Sequence, residues 1–235
     1  MKIKYIEKTT LVDYPDRIGC TLFLFGCNFR CGFCYNPELV IEEKTRDLDE
    51  EEILNFLEKR KKILEGVTFT GGEPLTNLEK EFLKKIKEKG YLIKIDTNGS
   101  FPEKLKEIIE ENLVDYIAMD IKGKKEDYQK ITSSKIDIEK IEESIKIISE
   151  MKEYEFRTTI LESIHKEDYV LDMLKWIYFL IKKRIKRYAL QGFKNYGKFI
   201  DENYKKEKNT SEDYLKRIRD FLKEKNFAEE IIIRI

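Results

Sequence analysis

The chain has 235 residues, with 46 Lys and Arg against 46 Asp and Glu, so its formal charge is zero. Hydrophobic residues make up 41% and charged residues 39%, the latter well above the usual quarter. The apolar residues fall in patterned runs, which excludes global disorder, and the cancelling charges exclude a generally basic nucleic-acid binder. The longest apolar runs, such as Trp176–Ile181, are far shorter than the ~20 residues that cross a bilayer. No signal-like stretch follows Met1, so the expected location is the cytoplasm, with neither nucleic acid nor membrane as partner.

In chain order, short β-like runs alternate with amphipathic helical stretches. Cys20–Phe25 reads as a buried strand running into a cysteine-rich loop. A helix is expected over Leu48–Ile63, then a strand over Gly66–Thr70 ending at Gly71-Gly72-Glu73-Pro74. Leu78–Lys89 reads as a helix closed by Gly90. Tyr91–Ile95 reads as a strand ending at Asp96-Thr97-Asn98-Gly99, and Pro102–Glu111 as a helix with proline in its first turn. Strand Val114–Met119 ends at Asp120-Ile121-Lys122-Gly123 and precedes helix Ile136–Glu153. Strand Glu155–Leu161, helix Lys166–Lys183, strand Arg187–Gly192, helix Ser211–Lys225 and strand Glu230–Ile235 complete the series. Residues 195–209 read as a long surface loop. Six or seven strands separated by helices predict right-handed βαβ units and a mostly parallel sheet in one domain spanning 1–235. Within it the cysteine loop occupies 26–36, and the last helix and strand occupy 211–235.

The unusual residues all follow strand ends, the edge where parallel α/β folds assemble sites. Cys27-x3-Cys31-x2-Cys34 offers three thiolates on a loop short enough to surround one inorganic centre. Structural zinc usually takes four ligands. Cys20 begins a strand, and at ~3.3 Å per residue it lies on the order of 20 Å from the loop. His165, the single histidine, falls near a strand end, where a histidine is more often a solvent-exposed loop residue than a ligand. Iron–sulfur clusters normally take four cysteines, so three point to a cluster with one iron left open. A zinc-stabilised binding module is the non-enzyme alternative.

Cys27-Asn-Phe-Arg-Cys31-Gly-Phe33-Cys34 resembles the CxxxCxΦC signature of the radical S-adenosylmethionine (SAM) superfamily, with Phe33 as the aromatic position. Gly71-Gly72-Glu73-Pro74, one βα unit later, resembles the GGEP motif of the same superfamily. The strand series fits its partial (β/α)6 barrel. Thr9-Thr10-Leu-Val-Asp13-Tyr-Pro15 is similar to the N-terminal segment of glycyl-radical activating enzymes, particularly activators of anaerobic ribonucleotide reductase; the alternative there is an ordinary surface turn. That subgroup usually has His after the third cysteine, where this chain has Tyr35.

The resemblance implies that Cys27, Cys31 and Cys34 hold a [4Fe–4S] cluster whose open iron chelates SAM. One electron from a flavodoxin- or ferredoxin-type donor then cleaves SAM to methionine and a 5′-deoxyadenosyl radical, which takes hydrogen from a glycine Cα of a partner enzyme. It implies that Gly71, Gly72, Glu73 and Pro74 serve the SAM amino group, with a tight βα turn as the alternative. Asp96, Thr97, Asp120 and Lys122 match polar positions near SAM and, in one branch, a small cation site; helix capping is the alternative for the acids. Arg157, a charge inside an apolar strand, must be paired, either by a salt bridge or by the SAM carboxylate. Gln191 is a candidate nucleoside contact. The basic run Lys182–Arg187 reads as a solvated helix end with no nucleic-acid role. A radical SAM enzyme acting on a small molecule, such as a deazapurine-forming cyclase, is the enzyme alternative.

Overall fold

The structure is a computed structural model that describes residues 1–41 and 45–235. Among the described residues eight strands follow one another in chain order across one sheet. The strands are β1 (Ile3–Thr10), β2 (Gly19–Leu24), β3 (Gly66–Gly71), β4 (Leu92–Thr97), β5 (Tyr116–Asp120), β6 (Tyr154–Ile160), β7 (Ile185–Gly192) and β8 (Ala228–Arg234). The helices are α1 (Glu50–Arg60), α2 (Lys80–Glu88), α3 (Pro102–Glu110), α4 (Tyr128–Thr132), α5 (Ile138–Ser149), α6 (Glu167–Ile181) and α7 (Glu212–Lys225). This is the expected α/β class, with one strand more than the sequence count. The additional strand, β1, pairs antiparallel with β2. Its charged residues at positions 4, 7 and 8 mask the alternation, and Lys4 is drawn inward by an ion pair of 2.6 Å with Asp47.

The chain divides into two compact units. The first comprises residues 1–28, 36–97 and 103–117. Strands β2, β3 and β4 run parallel, with Thr21 opposite Thr68 and Thr68 opposite Lys94. Leu22, Leu24, Val67, Phe69, Ile93 and Ile95 are fully buried in these strands, each contributing roughly 1.5–3 kcal/mol by leaving water. Helix α1 starts two residues later than its periodicity predicts, because Asp49 caps it: the Asp49 carboxylate accepts from Glu51 N at 2.7 Å, and Glu52 accepts from Asp49 N at 3.1 Å. Gly90, at φ +87°, closes α2 as expected. The Thr9–Pro15 segment is a built turn. Thr10 Oγ1 accepts from Val12 N and Asp13 N, and Asp13 accepts from Thr21 Oγ1 at 2.6 Å. Tyr14 is buried against Gly66, where an added Cβ would meet its ring at 2.6 Å.

The second unit comprises residues 29–35, 98–102 and 118–235. Strands β6, β7 and β8 run parallel, with Arg157 opposite Ala189 and Gln191 opposite Arg234. Buried Ile145, Ile148, Phe156, Leu174, Ile177, Tyr188, Leu215 and Ile218 form its core. Residues 195–209 form the expected surface loop, exposed along most of its length and pinned on its inner side. Phe199 is buried and stacks on Phe193 at 5.3 Å, and Glu202–Lys206 form a 3-10 turn capped by Asp201. His165 departs from expectation: it is fully buried, with Nδ1 accepting from Leu161 N at 3.0 Å.

Candidate active site

None of the four cysteines forms a disulfide. Cys31 is buried, whereas Cys27 and Cys34 are half-buried. Cys34 N donates to Cys31 O at 3.0 Å, so these two residues bracket a single turn. That turn is fastened on both sides within the second unit. Arg30 N donates to Thr132 O at 3.0 Å and to Ser134 Oγ at 2.9 Å, and Asp201 N donates to Gly32 O at 3.0 Å. A Cβ at Gly32 would lie 2.6 Å from the Tyr204 ring, so only glycine lets that ring close over the turn. Phe33 is buried edge-on to the same Tyr204 at 5.9 Å. Burial pushes the Cys31 thiol up to about 11, against the pull of Lys122 toward the thiolate.

Among the described residues no three His, Cys, Asp or Glu side chains are gathered as a metal cage. The donor chemistry nonetheless suits a soft, thiolate-binding centre: three thiols on one short irregular loop, untied by disulfides. Such thiols would lose their protons on ligation, a step coupled to local folding. Neither expected outsider joins them. Cys20 is fully buried in β2, its thiol pushed up to about 12 by burial. The His165 ring is committed through Nδ1 to the backbone, and burial lowers its pKa to about 4.

In the first unit, Gly71 and Gly72 are dictated by close backbone approach. A Cβ at Gly71, which sits at φ +113°, would lie 2.5 Å from Leu24 O, and one at Gly72 2.2 Å from Gly26 O. Gly72 N donates to Leu24 O at 2.9 Å and Glu73 N to Gly26 O at 2.7 Å, stitching the motif to the residues that lead into Cys27. Glu73 is fully buried and accepts from Thr97 Oγ1 at 2.9 Å and from Leu75 N at 3.1 Å. Its carboxylate thus caps the 3-10 turn that Pro74 opens, and ties it to the end of β4. Asp96 is ion-paired with Lys94, a buried lysine that the sequence reading did not single out. A lysine two residues from an aspartate in one strand lies on the same face, which is the signal available for that pair.

In the second unit, Asp120 lies between two cations. Its Oδ1 accepts from Arg157 Nε at 2.5 Å and its Oδ2 from Lys122 Nζ at 3.0 Å. Burial opposes ionisation of Asp120, but Arg157 and Lys122 outweigh it and hold the carboxyl far below the usual range. The Lys122 ammonium is disfavoured by burial and stabilised by Asp120 and the Cys31 thiol, with a net upward shift. Two cations around one carboxylate leave this trio with one positive charge. Buried Tyr128 supports it, donating to Asp120 O and accepting from Lys122 N. Tyr35, which follows Cys34, accepts from Gln191 Nε2 at 3.4 Å. Burial raises the Tyr35 phenol pKa, and Arg157, Asp120 and Lys122 all act on it electrostatically. The structure therefore brings Asp120, Lys122, Arg157, Gln191 and Tyr35 together.

Residues 21–177 match the sequence model of the family described as the Radical SAM superfamily. The chain belongs to that superfamily. Radical SAM enzymes use a [4Fe–4S] cluster and SAM. A Methanocaldococcus jannaschii protein named as a glycyl-radical enzyme activating enzyme is 32% identical over 236 residues, covering 97% of this chain and 94% of that protein. The pyruvate formate-lyase-activating enzyme of Clostridium pasteurianum is 36% identical over 142 residues, covering 57% of this chain and 58% of that enzyme. This radical SAM chain is therefore of the glycyl-radical activating type, and the zinc-module alternative falls away. Its fold recurs in solved structures, two of which follow. Streptococcus suis SuiB superposes with a TM-score of 0.65 at 15% identity, covering 92% of this chain, which spans about half (48%) of the SuiB chain. The anSMEcpe structure with bound AdoMet gives a TM-score of 0.59 at 18% identity, covering 88% of this chain and 61% of that one. No helix among the described residues is long and apolar enough to cross a membrane.

Proposed function

We propose that this radical SAM enzyme installs a glycyl radical on anaerobic ribonucleotide reductase. In this reading Cys27, Cys31 and Cys34 hold the cluster, and the bound cluster and SAM supply reductive cleavage of the sulfonium and the hydrogen-abstracting species. The observation that carries the SAM-binding part of this reading is the trio around Asp120. It sets an excess positive charge beside the Cys31–Tyr35 turn, where a zwitterionic ligand with a carboxylate tail finds Lys122 and Arg157. Asp120 orients both cations rather than binding the ligand, and Gln191 and Tyr35 offer neutral polar contacts to a nucleoside. The Gly71–Pro74 turn serves the amino group, as its motif implies, with Thr97 holding Glu73 in place. Phe33 acts from behind, anchoring the loop on Tyr204.

The partner assignment is supported by the resemblance of Thr9–Pro15 to the N-terminal segment of activators of anaerobic ribonucleotide reductase. Electron paramagnetic resonance of the reconstituted, reduced enzyme mixed with anaerobic ribonucleotide reductase tests it. A glycyl doublet that needs both SAM and reductant is the expected result. SAM cleavage without any doublet would overturn the choice of partner.

A further inference from the structure

Several lysines pair with acids on neighbouring elements: Lys85 with Glu50, Lys89 with Glu58, Lys125 with Glu142 and Lys183 with Glu150. The segment 194–208 holds more lysines than acids to pair them. It carries Lys194, Lys198, Lys205, Lys206 and Lys208 against Asp201, Glu202 and Glu207. Lys205 pairs with Glu202, and the Asp201 carboxylate is used as a turn cap. The other four lysines have no acidic partner among the described residues, and Lys198, Lys206 and Lys208 are exposed.

The segment is held in one shape. Asn195 Nδ2 donates to Lys205 O at 2.9 Å and to Glu207 O at 2.8 Å, while Asn195 Oδ1 accepts from Gly197 N at 2.9 Å. Its inner side is the backing of the cysteine turn, through Tyr204 on Gly32 and Phe33. Its outer side presents Tyr196, 64% exposed, whose ring meets Tyr35 edge-on at 5.4 Å. Unpaired positive charge and an exposed ring thus lie one aromatic contact from the residue that follows Cys34.

We propose that this lysine-rimmed face, centred on Tyr196, docks a small acidic one-electron carrier. The proposal rests on the radical SAM activating reading, which requires an electron to enter the cluster from outside. The carrier loses one electron and the cluster gains it; no bond or proton changes hands. Electron transfer weakens steeply with distance, so a carrier must dock where the cluster loop comes nearest the surface. Unpaired lysines give an acidic carrier orientation and a fast, salt-sensitive encounter.

The test uses flavodoxin as the probe and the charge-reversed variant Lys198→Glu/Lys206→Glu, both sites exposed. Calorimetric binding of oxidised flavodoxin is measured with cluster-free and reconstituted protein at 50 and 300 mM salt. Stopped-flow reduction by flavodoxin hydroquinone is compared with reduction by dithionite. The expected result is binding and flavodoxin-driven reduction weakened at least tenfold at 50 mM salt, the gap closing at 300 mM, with dithionite reduction within twofold of wild type. Equal binding by variant and wild type, or no binding by wild type, overturns the proposal. Loss of radical installation on the partner under dithionite also overturns it, by giving the face to the glycyl-radical enzyme. Absence of SAM cleavage with dithionite brings down the activating reading instead.

Discussion

Arg157 Nε donates to Asp120 Oδ1 at 2.5 Å, and the same carboxylate accepts from Lys122 at 3.0 Å, so one acid at the end of β5 fixes two cations from different places in the sequence. Removing that acid leaves two largely buried charges facing each other. Asp120→Ala is expected to cost about 3 kcal/mol, the range for breaking a buried ion pair. Urea unfolding of wild type and variant measures it. Because the folded carboxyl titrates below its unfolded value, this stability is fully present above about pH 4 and is lost as pH falls further. The difference between wild type and variant should therefore shrink only below that pH.

Lys122→Met removes the charge proposed to meet a carboxylate while leaving the three thiols in place. A charge-assisted hydrogen bond of about 1.5–3 kcal/mol corresponds to roughly a ten- to hundredfold loss in SAM affinity. Equilibrium dialysis on reconstituted protein reports it, with iron content unchanged. Undiminished SAM affinity would assign Lys122 a structural role only.

Cys20 is fully buried in β2, apart from the loop in sequence. Reconstituted Cys20→Ala is expected to retain about four iron and four sulfide. Cys31→Ala should retain none. Iron and acid-labile sulfide analysis distinguishes them, and loss of the cluster in a folded Cys20→Ala would refute the three-ligand assignment.

His165 is buried neutral, its pKa lowered to about 4 by desolvation. The unfolded chain therefore binds this proton first as pH falls from about 6.5. Wild type should lose stability between pH 6.5 and 4, approaching a slope of about 1.4 kcal/mol per pH unit for one proton. His165→Gln, which keeps an acceptor for Leu161 N, should show a flatter profile over that window. Identical slopes would place the acid sensitivity elsewhere.

The sequence by itself determined the alternation of strands and helices, the cysteine spacing and the glycine turn. These depend on short-range physics: periodicity of apolar residues, caps such as Asp49 and Gly90, and backbone positions that tolerate no side chain. Strand β1 escaped because its burial is completed by an ion pair to Asp47, more than forty residues away in sequence. His165 escaped because only packing decides whether a lone histidine near a strand end faces water or core. Arg157 showed in the sequence that it must be paired; the tertiary structure decided that Asp120 pairs it and that Lys122 shares the same carboxylate. Segment 195–209 has a polar composition that reads as loop, and only its docking on Gly32 and Phe33 makes it the backing of the cysteine turn. Pairwise electrostatics and ring packing act between residues distant in the chain, and the fold alone sets which of them meet.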